Sequence, residues 1–516
     1  MLKKYIFLSC CLLNACMVGP DFKDPKKTVE KKWIEHSPLV QNKPVKSSDW
    51  WKIFHDDNLV ALIQEGYRNN LSLQMAGVHV LQARAQLAQA VGELYPQQQA
   101  MAGTYDYYRI GGSYLQDVLP GTFYAATLGI SANWEIDFWG KYRRAIQSND
   151  ATFLASIAAY DHALVTLTAD IASDYVNIRT TEALIRVTNE NIRLQRTSLN
   201  LTEARFHAGE IGLLDVEQAR TELAETESKL PTLKAKLQRQ KDALAVLLGT
   251  VPNQVDKLLV KKGIPKTSRA IAVGIPLETL NNRPDVHQSR LEAMAQSAMI
   301  GVVKANLFPA LSLSGTFSFA SNSINNASVS DLFNWSNRTI TAGPILNWPL
   351  LNYGQITNAV RVQDAAFQKS LLNYQNVVLK AQQEVQDNIT NYIESQKTER
   401  LLMKANHSAI KSTQLTLISY KEGEIDYTTV LTSEQQLLRV QTSLVQAEGD
   451  VPQAVIALYR SLGGGWQIRK GNDMVPKEIK EQMAARTDWG NLLKTENHEA
   501  PKTSKQQFEQ LYLPSW

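Results

Sequence analysis

After Cys16 the chain has no cysteine; its three, Cys10, Cys11 and Cys16, all stand near the start. A disulfide framework or a thiolate metal site in the body of the protein is thereby excluded. The eight histidines, at 36, 55, 79, 162, 207, 287, 407 and 498, form no pair at helical ligand spacing, and HExxH, GxSxG and phosphate-binding loops are absent. Gly463-Gly464-Gly465 leads into Trp466 without a lysine and reads as a helix terminator. No enzyme chemistry and no cofactor or metal site is expected. Charge of one sign is also missing: 54 Lys and Arg stand against 50 Asp and Glu with no basic block, so nucleic acid is not an expected partner. Long apolar runs are missing too. The one over residues 5–13 has nine positions with Ser9 inside it, against about 20 for a spanning helix. Finally, proline is absent from 140–230 and from 351–451, so nothing interrupts very long helices there.

What the first residues do have is a leader plan: Lys3 and Lys4, then the short apolar run, then Asn14 and Ala15. Leu13-Asn14-Ala15-Cys16 resembles a bacterial lipobox, so residues 1–15 are expected to be a signal peptide and Cys16 to carry covalent lipid, two anchoring signals on one residue. Met17 after the cysteine implies, in that pattern, sorting to the outer membrane. Residues 16–56, with Pro20, Pro25, Pro38 and Pro44, read as an extended strap.

The stretch 300–320, IGVVKANLFPALSLSGTFSFA, changes period at Pro309. Before it the pattern is helical; after it Leu311, Leu313, Gly315, Phe317 and Phe319 alternate with Ser312, Ser314, Thr316 and Ser318, as in a strand between oil and water. Overlaying the halves shows why. Pro96 matches Pro309 at an offset of 213, and Trp134, Gly140, Gly209 and Gly249 match Trp348, Gly354, Gly423 and Gly463 at 214. The chain is a tandem duplication, with repeats at 57–250 and 281–465, a linker at 251–280 and a C-terminal segment at 466–516 wrapping the middle of the rods. Each repeat supplies two strands, about 100–109 and 124–138, then 310–320 and 339–350. Trp134, Trp139, Trp348 and Tyr353 are expected in one aromatic girdle; Tyr107, Tyr108, Tyr124, Phe333 and Trp335 in the other. Four strands leave open edges, which lipid does not tolerate, so other copies must complete the barrel.

Between strands, Ile157, Leu164, Ile171, Ile178, Ile185, Ile192 and Leu199 recur every seven residues, and Val216, Leu223, Leu230, Leu237 and Leu244 correspond to Val430, Leu437, Leu444, Val451 and Leu458. A rod over residues 140–206 is on the order of 100 Å long, far more than a bilayer. Gly209 and Gly423 are expected to cap helical hairpins whose tips lie opposite the strands.

The run Arg283-Pro284-Asp285-Val286, Ala295, Ile300-Gly301, Lys304-Ala305, Phe308-Pro309 and Leu311 to Gly315, with Cys16-Met17-Val18-Gly19-Pro20-Asp21-Phe22, resembles TolC-type outer membrane factors, in the OprM- and CusC-like lipoprotein branch. The resemblance implies a mainly α fold with a membrane β-barrel: a homotrimer of four strands per chain with a helical tunnel crossing the periplasm. It also implies a periplasmic adaptor docking at Arg205, Gly209, Tyr420 and Gly423, and an inner-membrane pump, of RND type, as energy source. Where relatives carry an acid past the second tip glycine this chain has Thr432, so the candidate gate is Asp426, Thr432 and Glu434 with Asp215 and Glu217; each acid, taken alone, reads as a solvated surface group. The implied function is a passive exit duct of a tripartite efflux system. The alternatives are an envelope-bridging lipoprotein and a duct for type I protein secretion. The cargo is not written in the sequence.

Overall fold

The computed structural model describes residues 17–25, 29, 33, 37–41, 48–111, 120–260, 262–267, 271–274, 276–324 and 328–494. The leader, Cys16 and the end of the C-terminal segment lie outside them. In chain order the elements are β1 (Val40–Gln41), a 3-10 turn (Trp50–Phe54), α1 (Asp57–Asn69), α2 (Leu71–Gly92), β2 (Gln98–Arg109), β3 (Thr122–Ile136), α3 (Lys141–His207) and α4 (Leu213–Leu247). There follow α5 (Pro252–Leu258), β4 (Ile271–Ala272), α6 (Pro276–Asn281), α7 (Pro284–Ala305), β5 (Ala310–Asn322), β6 (Arg338–Asn347), α8 (Gln355–Lys421), α9 (Tyr427–Ser461) and α10 (Lys477–Arg486).

The duplication is visible in lengths and in backbone. The rods α3 and α8 have 67 residues each, and the returns α4 and α9 have 35 each. Left-handed glycines sit at matched places: Gly140 and Gly354 before the rods (φ 77° and 82°), Gly209 and Gly423 at the tips (76° and 78°), Gly249 and Gly463 after the returns (64° and 69°). Such φ values suit glycine because other residues meet their own Cβ there. Both return helices run on through a proline, Pro231 and Pro452.

The sheet has the order β2-β3-β5-β6 with every neighbour antiparallel, so the two halves join at β3 and β5. The register puts Ile130 beside Phe317 and Ile340 beside Phe317, while Ser131 and Thr341 flank Thr316. One face is therefore apolar and the other carries hydroxyls. No described helix is long and apolar enough to cross a membrane. Strand β2 matches β5 at an offset of 212, since Gln98 faces Asn133 where Ala310 faces Asn347, while β3 matches β6 at 214. One residue more separates Pro96 from its strand than separates Pro309 from its own.

One girdle expectation is corrected by this register. Tyr108 shares the polar face, stacked on Phe123 at 4.9 Å, because it is an even number of residues from Thr104 and Asp106. Trp139 lies past the end of β3 and ties the halves together, as described below. Tyr107 and Tyr124 do pack together on the apolar face.

The core lies along the rods. Trp50 stacks on Tyr459 at 5.6 Å, above Ile171, Tyr175, Ile389, Tyr392 and Leu458, all fully or almost fully buried. Helix α3 packs on α2, α4, α7 and α9, and α8 packs on α7 and α9. The C-terminal segment lies against this middle zone: Val475 and Met483 pack on Leu81 of α2, and Arg469 forms a bidentate pair with buried Asp161 of α3.

Candidate functional site

The junctions at Pro96 and Pro309 are held the same way. The Trp134 indole donates to Leu94 O at 3.1 Å, and the Trp348 indole to Leu307 O at 3.2 Å, two residues before each proline. Each helix end, whose last carbonyls lack helical partners, is thus fastened to the base of its own strand pair. Trp139 fastens one half to the other by donating to Pro309 O at 2.8 Å and stacking on Phe308 at 4.6 Å.

The strap reaches this level. Val18 N donates to Trp139 O at 3.0 Å, and Arg144, 4 % exposed, donates to the carbonyls of Val18 and Gly19 and to Asp21 at 2.8 Å. Farther along, Arg290 pairs with Asp24 and lies over the Phe22 ring. The strap fits because two glycines meet: a Cβ on Gly19 would stand 2.5 Å from Gly301 Cα, and one on Gly301 would stand 2.6 Å from Val18 O. Gly301→Val is expected to lift the strap, an overpacking cost of about 1–3 kcal/mol. Limited proteolysis within residues 16–56 should then run about tenfold faster, with α3 and α7 still protected.

At the opposite end, the two hairpins of one chain are joined by Arg205. Its guanidinium donates to Tyr420 O at 2.5 Å and to Glu210 at 2.8 Å, and lies 4.8 Å from the Tyr420 ring centre. A Cβ on Gly423 would touch Arg205 Nη2 at 3.4 Å. Arg205, Tyr420 and Gly423 are therefore brought together, while Gly209 turns the first tip with open space around it. Tyr420 is 1 % exposed, so it is a packing residue between hairpins and not part of the tip surface.

The five gate candidates do not converge. Asp215 lies in the first turn of α4, Asp426 is exposed at the start of α9, Glu217 pairs with Arg220 at 2.9 Å, and the Thr432 hydroxyl donates to Thr428 O. The expectation of a solvated surface group fails for Glu434, which is 1 % exposed. It faces α3 and α4 because it falls four residues after Val430 and three before Leu437, in the second core row of the heptad. Burial, and then the charge of Glu222, push its carboxyl up to about 7. This is above its unfolded value, so the stability it confers is full at low pH and lost as pH rises through 7. Sequence reasoning named Glu434 as a gate candidate but placed it in solvent, and it missed the indole clamps and the strap contacts; the spacing of Glu434 was the one signal of its burial.

A family described as outer membrane efflux protein matches residues 62–250 and 275–464. Nodulation protein T of Rhizobium leguminosarum bv. trifolii is 28 % identical over 457 residues, covering 88 % of this chain and 96 % of that one. Cation efflux system protein CusC of Escherichia coli is 26 % identical, covering 89 % and 98 %. Among solved structures, the outer-membrane channel OprN superposes with a TM-score of 0.81 at 28 % identity, over 88 % of this chain and all of that one. The two matched segments are the two halves of the duplication, so the likeness takes in rods, strands and tips alike, and the chain belongs to the outer membrane efflux protein family, as a channel of the Nodulation protein T type.

Proposed function

We propose that this channel is the passive exit duct of a tripartite efflux system: a homotrimer with a 12-strand barrel, lipid-anchored at Cys16, that receives cargo from an inner-membrane RND-type pump through a periplasmic adaptor at the tips. The observation that carries the trimer is a matched set of uncovered surfaces. Within the chain the halves meet through β3 with β5, α3 with α7 and α3 with α9. The duplicate of each contact would join β6 to β2, α8 to α2 and α8 to α4, and none of these has comparable packing among the described residues. Leu372, Leu379, Leu401, Leu415 and Ile418 of α8 stand 56–64 % exposed. A second copy related by the internal repeat covers all three surfaces at once, and open strand edges cannot remain in lipid. The position of Met17 against Gly140, at the membrane edge of the barrel, supports an anchor on the preceding residue.

The repeat also gives the register between copies. Shifting the β3–β5 pairs by 214 and 212 residues places Asn347 opposite Ala102 of the next copy on the polar face. No cysteine after position 16 interferes. Ala102→Cys with Asn347→Cys should yield a covalent, reducible trimer under mild oxidation. Monomer alone, in a protein that still folds into the membrane, would sink the arrangement. Transport is tested by single-channel recording: a protein that stays silent even with its tips opened is not a duct. Cargo is set by the pump, and the wall this chain offers is lined by hydroxyls.

A further inference from the structure

A polar layer near the tips contains two carboxyl groups on the seam between the hairpins. Helix α9 supplies Glu434 and Tyr427, α4 supplies Glu222 and Thr226, and α3 supplies Gln195 and Ser198; all six are buried. Tyr420 of α8 reaches the layer through its ring contact with Tyr427, 5.7 Å between centres. Glu222 is satisfied, accepting from Gln435 at 2.7 Å and Gln195 at 3.3 Å. Glu434 has no cation beside it: neither of its oxygens finds a donor at hydrogen-bonding geometry among the described residues, and the neighbouring Ser198 hydroxyl, which favours the ionised form, is outweighed by burial. Neighbouring cations are engaged elsewhere: Arg205 with Glu210 and Tyr420 O, Arg220 with Glu203 and Glu217, Arg196 with Glu227, and Arg439 with Gln436. A buried carboxylate without a cation is unfavourable, so the neutral acid is the form this packing accepts.

We propose that Glu434 and Glu222 form a proton-operated latch: neutral Glu434 lets α9 lie against α3 and α4, and loss of its proton to periplasmic water leaves two carboxylates in the seam and drives α9 off, opening the second hairpin. The inference rests on the duct reading. Burial and Glu222 place the transition at about pH 7. Between pH 6 and pH 8 the ionised fraction rises from about one tenth to about nine tenths, so mean current through the full-length protein in planar bilayers is expected to rise about ninefold. Glu434→Gln removes the pH dependence and stays closed at both values, and Glu222→Gln moves the transition to lower pH. A wild-type profile in Glu434→Gln, or a transition governed by added calcium chloride and not by pH, overturns the latch. Arg205→Glu separates the two proposals. If it conducts while wild type shows no pH dependence, the latch falls and the duct stands. If it is silent, the duct reading falls, and infrared absorption of a protonated carboxyl at pH 6 decides the latch: present in wild type and lost in Glu434→Gln supports it, absent in wild type overturns it.

Discussion

Replacing Arg283 by alanine is expected to destabilise the folded chain by about 3 kcal/mol, the cost of leaving partly buried Asp285 and the buried Ser461 carbonyl without their cation. Arg283 is 6 % exposed and joins three helices: it donates to Ser461 O at the end of α9 (2.7 Å), to Asp285 at the start of α7 (2.7 and 3.0 Å) and to Glu384 of α8 (2.8 Å). Gly463 permits this approach, since a Cβ there would stand 3.0 Å from Arg283 Cα. Glu384 is half exposed and contributes little; Asp285 and the α9 carbonyl carry the effect. Burial alone would raise the Asp285 carboxyl, but the Arg283 guanidinium outweighs it and holds the group below the usual carboxylate range. A depressed folded value means stability present above the unfolded value of 3.8 and lost as pH falls through the folded one. Denaturant titration in detergent at pH 7 should show the full loss for Arg283→Ala and a smaller one for Arg283→Met, which keeps the apolar stem. A loss below about 1 kcal/mol would mean that the cluster is peripheral.

Arg205→Glu is expected to abolish pump-dependent resistance while leaving the trimer intact. The substituted carboxylate would face Glu210 and the Tyr420 carbonyl, turning an attractive clamp between the hairpins of one chain into a repulsive one. Two readouts follow: loss of resistance in cells, and a conducting, unplugged channel in bilayers. Gly423→Pro attacks the same place through the backbone, because proline cannot adopt φ 78°. Unchanged resistance in both variants would count against the tips as the docking and closing element.

Much of this architecture could be read from periodicity. Both rods, both returns and all four strands follow from heptads, alternation and matched glycines, to within two residues at most strand ends. What periodicity does not carry is contact between segments distant in sequence. Arg283 and Gly301 stand in the recognisable stretches, yet their partners are Ser461 and Gly19, which no local pattern pairs with them. Tyr108 was misplaced because an aromatic near a membrane edge suggests a girdle, whereas its parity in the strand sends it to the polar face with Phe123. Glu434 looks solvated in Ser433-Glu434-Gln435-Gln436, and only the packing of α3 and α4 on α9 removes it from water.

The Trp139 indole, bonded to Pro309 O just before α3 begins, has a mechanical consequence. A 67-residue rod fastened at one end is a lever on the order of 100 Å long. A tilt of about 5° at the clamp carries the far end roughly 9 Å, enough to widen an aperture built from such ends. With Trp139 fixing the pivot of α3, the barrel needs to yield almost nothing while the distant opening changes by the width of a helix.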